Sequence, residues 1–383
     1  MRVVRSICAL VLATALWLSL LHFAFRTSAE ATARPLAARL LRRWQAGSPL
    51  GSKDVTTLRR TNPEWDLMAR TFTALTFANL AIGARAPGPY VDAIDRIADV
   101  TIAEVESGGA LRFLLPYAER APFVDPAGRS VFVDGEVALM LAARELVAPD
   151  PARAALADVW VTRAREQIEL GPKLLAESYP DEGWIFCNTV ALAATRLHDV
   201  ARGEPNAHAE LFARWVARAR AERVDADTGL LVSKTGLDGT TREGPEGSTI
   251  WLAADMLLLV DEDFAREQFQ RARAELAGSL LGFAWSREWP VRQPGREDVD
   301  SGPTIPLVGA NAGASGLAIV AARAFGDDAL LSGLLASLEF AGFPLDGGAH
   351  FAAGNLLADA VIAYGTTCGP LWKLAGVGTR GAP

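Results

Sequence analysis

Six stretches of the chain are apolar over most of a helical circumference, beginning near Leu67, Val133, Asn188, Gly247, Ile305 and Asn355. A helix with that pattern is stable only when it is buried on nearly all sides. Between them run charged stretches with a single apolar face: Tyr90–Ser107, Pro151–Leu170, Asn206–Arg223, Asp261–Leu281 and Asp327–Phe340. Buried and one-faced helices alternating every fifty to seventy residues or so predict an all-α ring of six helical hairpins, inner helices wrapped by outer ones. The count gives six inner helices and only five outer ones. An amphipathic stretch at Pro35–Gln45, with proline suited to a first helical turn, supplies the sixth and closes the ring.

Connections on one side are short and turn-like, as at Ala148-Pro149-Asp150 and Arg202-Gly203-Glu204-Pro205. Those on the other side are long: Ala110–Phe132, Gly171–Cys187, Val224–Glu246, Gly282–Thr304 and Gly342–Gly354. Long connections on one rim of a rigid scaffold are where binding and catalytic groups concentrate. One of them predicts a small β-hairpin, with a turn at 225–229, a strand at Leu230–Ser233 and a second turn at Asp238-Gly239. The first turn lacks the ligand count of a calcium loop. The glycine-rich run 309–316 has neither the preceding strand nor the lysine of a phosphate loop, and reads as small residues that let helices approach closely.

The chain has 383 residues, half of them hydrophobic, and a formal net charge of −7. With no concentrated Lys/Arg face, a nucleic-acid partner is excluded. Arg2 and Arg5 precede an uncharged run from Ser6 to Phe25, and roughly twenty such residues cross a bilayer. Small-residue sites at Ala29-Glu30-Ala31 and Ala31-Thr32-Ala33 equally fit a cleaved secretory signal. The expected organisation is a signal peptide or membrane anchor over 1–33 and one ring domain over 34–383. The body then lies in the cell envelope or periplasm, touching the membrane through this segment if it is uncleaved. A cytoplasmic domain on an anchor is the alternative, and the oligomeric state is not set by the sequence. Cys8 lies in the apolar run, while Cys187 and Cys368 are able to pair in an oxidising compartment. Four histidines show no metal-ligand spacing, so no metal site is expected.

The long connections deliver acids to the starts of inner helices: Asp134 and Glu136, Asp181 and Glu182, Glu243 and Glu246, Asp298 and Asp300. Each pair reads as a helix cap. Gathered in one cleft, however, like charges raise one another's pKa and keep a carboxyl protonated for acid catalysis. Glu136 leads these candidates. Gly135 allows close backbone approach, and a carboxyl in the first turn of a buried helix must be protonated or paired, with Arg129 or Arg144 as the available partners. Cys187 stands just before Asn188, a natural N-cap, where a helix N-terminus lowers a thiol's pKa. Simple packing is the other account of it. Tyr179, Trp184 and Trp251, along with Trp285 and Trp289, fall in or beside the long connections and serve either to wall a substrate or to pack beneath loops. His350 is the one histidine in a long connection and a candidate base.

Three motifs resemble the linalool dehydratase/isomerase group, a branch of the (α/α)6 toroids. They are Gly135-Glu136-Val137-Ala138-Leu139-Met140-Leu141, then Tyr179-Pro180-Asp181-Glu182 followed by Cys187-Asn188, and Asp225-Ala226-Asp227-Thr228-Gly229-Leu230. The resemblance implies an exported, cofactor-independent enzyme that removes or adds back an allylic hydroxyl, with Cys187 as an acid or base. Two departures stand out. Glu136 occupies the place of an expected histidine, and the family's other loop cysteine has no counterpart between Ser178 and Phe186. The resulting expectation is a lyase or isomerase for a small, largely apolar hydroxylated substrate. Glu136 and Cys187 exchange its protons, and Trp184 and Trp251 shape its pocket. Two alternatives remain. One is a glycan-active hydrolase or lyase, with Asp134 or Glu136 facing Asp300 or Glu246. The other is a non-catalytic envelope scaffold whose acids are all paired.

Overall fold

The computed structural model describes residues 2–47, 49–293, 295, 301–302 and 304–378. In chain order the elements are α1 (Arg2–Leu20), α2 (Ala29–Gln45), α3 (Lys53–Thr61), α4 (Pro63–Gly83), α5 (Gly88–Gly108), α6 (Val131–Val147) and α7 (Pro151–Leu170). Strand β1 (Glu182–Trp184) leads into α8 (Ile185–Ala201) and α9 (Ala209–Glu222). After β2 (Lys234–Gly236) and β3 (Thr241–Glu243) come α10 (Gly247–Leu257) and α11 (Glu262–Glu275). Four strands follow, β4 (Ala277–Leu280), β5 (Phe283–Arg287), β6 (Thr304–Ile305) and β7 (Ala310–Asn311), and then α12 (Ala312–Phe325) and α13 (Asp328–Ala341). The chain finishes with β8 (Pro344–Leu345), β9 (His350–Phe351), α14 (Leu356–Thr367) and α15 (Pro370–Leu374).

The inner ring is α4, α6, α8, α10, α12 and α14. Each packs on the next, and α14 returns to α4. Helices α5, α7, α9, α11 and α13 form the outer layer, and α2, lying against α14 and α5, completes it as the counting argument requires. Close approach is built into the inner seams. A Cβ on Gly135 of α6 would lie 3.3 Å from that of Ala191 on α8. At the far end of the ring, α15 acts as a floor. Leu371 N donates to Asn79 Oδ1 at 2.9 Å. Tyr364 Oη and Trp372 Nε1 donate to the buried carboxylate of Asp255 at 2.8 and 3.0 Å.

Several boundaries depart from the sequence pattern for local reasons. Helix α4 starts at Pro63 rather than near Leu67, because Asn62 caps it by accepting from Glu64 N at 2.9 Å. The outer helix expected over Asp261–Leu281 stops at Glu275, and the fifth inner helix starts at Ala312, not near Ile305. The residues between hold a sheet in the order β4-β5-β7-β6, and Asn311 then caps α12 by accepting from Ala314 N at 2.8 Å. The predicted hairpin exists, but its first strand is Lys234–Gly236, not Leu230–Ser233, and it pairs with β1 as well as β3. Asn188 is not a cap. It sits inside α8, bonded to Ala176 N and O. Cys187 and Cys368 are both free, the first in the opening turn of α8 and the second just past the end of α14.

Arg2–Phe25 is one helical run long and apolar enough to cross a membrane by length and composition, with a mean hydropathy of 2.1 and no buried residue in that window. Helix α2 begins at Ala29, inside the segment read as signal or anchor, because Ser28 caps it by accepting from Ala31 N at 3.1 Å.

Candidate functional site

The starts of three neighbouring inner helices bring the central groups together. Asn62 and Pro63 begin α4 and place Glu64 in its first turn, where Asn62 Nδ2 donates to Glu64 Oε2 at 3.3 Å. Glu136 enters from the second turn of α6 and Cys187 from the first turn of α8. Glu136 is fully buried, and Thr71 of α4 donates to its carboxyl. Burial first, and the charge of Glu64 second, hold its pKa up at about 7. The arginines expected to neutralise it are engaged elsewhere, Arg129 with Asp125 and Arg144 with Asp95. Among the described residues no cation pairs with Glu136.

Cys187 behaves oppositely to the helix-terminus expectation. Burial pushes its thiol well above the ordinary range, and Glu64 and Glu136 push it further, against a hydrogen bond with Ser178. Burial, with the two carboxyls adding to it, outweighs the helix end and keeps the Cys187 thiol protonated.

Beside these groups the connection before α8 forms an aromatic wall. Tyr179 Oη donates to Glu64 Oε1 at 2.6 Å and accepts from Leu115 N at 2.8 Å. Its ring stacks on Tyr117 with centroids 4.5 Å apart. Tyr117 Oη and Trp184 Nε1 both donate to Glu182 Oε2, at 3.2 and 3.3 Å. Lys234 on β2 lies 4.8 Å over the Trp184 ring and bridges Glu243 at 2.7 Å and Glu182 at 3.7 Å. Tyr117, Glu182, Trp184 and Glu243 are half-buried, whereas Tyr179 is buried.

The next acid along is Glu246, buried at the start of α10. Burial first, then Glu288 and Glu243, raise its pKa to about 8. Glu288 accepts from Ser248 N at 3.2 Å and from the Ser248 hydroxyl, so it occupies the N-terminus of α10. A chain of hydrogen bonds, ring stacking and ion pairs thus runs from Glu64 through Tyr179, Tyr117, Glu182 and Lys234 to Glu243, with Glu136 within electrostatic reach of one end and Glu246 of the other.

Of the residues singled out from sequence, Glu136, Cys187, Tyr179, Trp184 and Glu246 meet here, and Asp134, Trp251 and His350 do not. Asp134 turns to the outer layer, bridged to Arg163 at 3.0 Å and bonded to Gln167 Nε2 at 2.8 Å. Trp251 points away from the ring axis. Its Nε1 donates to Ser286 Oγ at 2.7 Å, and its ring meets Phe269 of α11 edge-on. His350 lies in the β8–β9 hairpin, 3.6 Å from Asp346. Asp181 is drawn outward by Arg242. Asp298 and Asp300 lie outside the described residues. Sequence reasoning missed Glu64, Tyr117 and Lys234. The Asn-Pro-Glu start of α4 was the available signal for Glu64.

The fold has a solved counterpart. A GH76 alpha-mannanase of Bacteroides thetaiotaomicron superposes over 80% of this chain and 86% of its own, with a TM-score of 0.53 and 14% sequence identity. At that identity the likeness establishes the (α/α)6 toroid and no more. No protein-family model and no curated protein matches the sequence.

Proposed function

We propose that this protein is a glycan-active hydrolase or lyase of the cell envelope in which Glu136 is the proton donor. One observation carries this reading: a buried carboxyl without a cation among the described residues, Glu136, beside a half-exposed one, Glu64, beneath an aromatic wall. Two carboxyls in such unlike surroundings are suited to opposite roles. With a pKa of about 7, Glu136 carries its proton at neutral pH and gives it to the departing glycosidic oxygen. As that C–O bond breaks, water adds to the anomeric carbon and loses its proton to Glu64, which Tyr179 and Asn62 hold in place. Tyr117 and Trp184, both half-buried, offer flat faces for sugar rings, and Glu182, Glu243 and Lys234 offer partners for hydroxyls. The fold shared with an alpha-mannanase supports the reading by analogy.

Cys187 favours a second reading, the lyase or isomerase implied by the linalool dehydratase/isomerase resemblance. Its neutral thiol lies within electrostatic reach of Glu136, and the two are able to pass a proton across an allylic alcohol. Beyond Cys187, that chemistry rests on the motifs. A thermal-shift screen separates the readings, since ligands bound to the native state raise its melting temperature by mass action. Stabilisation by oligosaccharides, weakened in Trp184→Ala, is the expected result. Stabilisation by terpene-like alcohols alone overturns the glycan reading in favour of the second.

A further inference from the structure

The short helical turn Leu21–Phe25, by which α1 reaches the ring, is fastened to it. His22 meets Phe283 of β5 edge-on at 6.3 Å, Phe25 meets Phe340 of α13 at 5.1 Å, and Phe283 and Phe340 meet at 5.3 Å. Gly282, at the tip of the β4–β5 hairpin, has a φ of +84°, and a Cβ there would fall 2.3 Å from the His22 ring. The tip is therefore shaped to this contact. Around the same spot Phe23, Leu280, Phe340, Phe343 and Leu345 are between 43% and 63% exposed. They come from separate segments and gather where the apolar helix leaves the body.

The small-residue cleavage sites belong to the ring itself. Ala29, Thr32 and Ala33 are buried in the first turns of α2, which Ser28 caps, so cutting there strips the cap from the helix that closes the outer layer. From Ser6 to Phe25, about 20 residues at 1.5 Å each reach about 30 Å, the thickness of a bilayer's hydrocarbon core. That length puts Phe25, and the apolar residues around it, at the boundary between lipid tails and headgroups. The Arg26 guanidinium lies over the Phe23 ring at 4.5 Å, placing a cation at headgroup level.

We propose that α1 is retained as a membrane anchor and that the apolar patch at its foot is seated in the bilayer surface. The patch lies at the foot of α1, whose own apolar side chains are exposed along its length, so its occupant is lipid. The β4–β5 and β8 edge of the long-connection rim is thereby held against the membrane. This inference does not depend on which chemistry the ring performs.

The test uses the full chain carrying Cys8→Ser, which leaves only the two buried cysteines, with Leu280→Cys or Leu345→Cys added and labelled with a fluorophore. Glu210→Cys, on the exposed face of α9, is the control. In phosphatidylcholine vesicles, brominated lipid tails are expected to quench the labels at 280 and 345 at least twofold, at low and at high salt, and to leave that at 210 unchanged. Unquenched labels at 280 and 345 on a chain whose intact mass includes α1 overturn the membrane face. A mature protein that begins beyond Phe25 overturns the anchor itself.

Discussion

Tyr179 Oη lies 2.6 Å from Glu64 Oε1 and 2.8 Å from the backbone nitrogen of Leu115, so one phenol ties the aromatic wall to the start of α4. A hydrogen bond to a charged group is worth about 1.5–3 kcal/mol. Tyr179→Phe is expected to cost about that much stability, read as a lowered midpoint in urea, while the far-ultraviolet helical signal is kept. It frees Glu64 to move, so turnover is expected to fall at least tenfold. An unchanged rate would remove Glu64 from the chemistry.

The seam between α6 and α8 offers a packing test. A Cβ at Gly135 meets Ala191 at 3.3 Å, so Gly135→Ala sets the better helix propensity of alanine against a tight contact and stays near neutral. Gly135→Leu forces the helices apart at a cost of about 1–3 kcal/mol and displaces Glu136 in the next position. Thermal melts of both variants check this. A leucine variant as stable as the parent would mean the seam is looser than described.

Stability is expected to fall as pH rises through neutrality. Burial raises the pKa of Glu136 and Asp255 to about 7 and of Glu246 to about 8 in the folded state, whereas in the unfolded chain these groups titrate near the ordinary carboxyl range. Between those limits the folded state binds more protons, so the stabilisation is full below the unfolded pKa and is lost as pH rises through the folded one. Each group contributes a slope of up to about 1.4 kcal/mol per pH unit. Glu104 acts in the opposite sense. Burial raises its pKa, but Arg70, Arg59 and Arg112 outweigh that and hold it at about 2, so its contribution is lost only as pH falls toward that value. Melting temperatures between pH 5 and 8 measure the fall, and Glu136→Gln is expected to flatten it.

The ring was legible because an inner helix is apolar all round and an outer one is not, a contrast strong enough to give the number of ring helices and the closing role of α2. The same uniformity hid which way each side chain points. Trp251 sits on a helix apolar on every face, so nothing in the pattern separated the ring axis from α11, where it packs. The sheet between Ala277 and Asn311 was illegible because its strands run two to five residues and begin with Ala277-Gly278-Ser279, too short and too small for a clear alternation. Glu136 was legible because a glutamate in an apolar helix needs a reason. Its neighbour Glu64 was not, since an acid beside Asn62 and Pro63 reads as ordinary capping. For Cys187 the helix end was weighed without its burial and without the charges of Glu64 and Glu136, which only the fold brings within reach.

The most direct test of the glycan reading is turnover of oligosaccharides, α-mannan fragments included, by the parent chain and by Glu136→Gln, followed by the release of reducing ends. The account predicts hydrolysis or elimination by the parent, with a rate that declines above about pH 7 as Glu136 loses its proton. It also predicts at least a hundredfold loss in Glu136→Gln, with a melting temperature at neutral pH within a few degrees of the parent's. Cleavage by Glu136→Gln at the parent's rate, or no cleavage of any glycan by a parent protein that binds terpene-like alcohols, would contradict it.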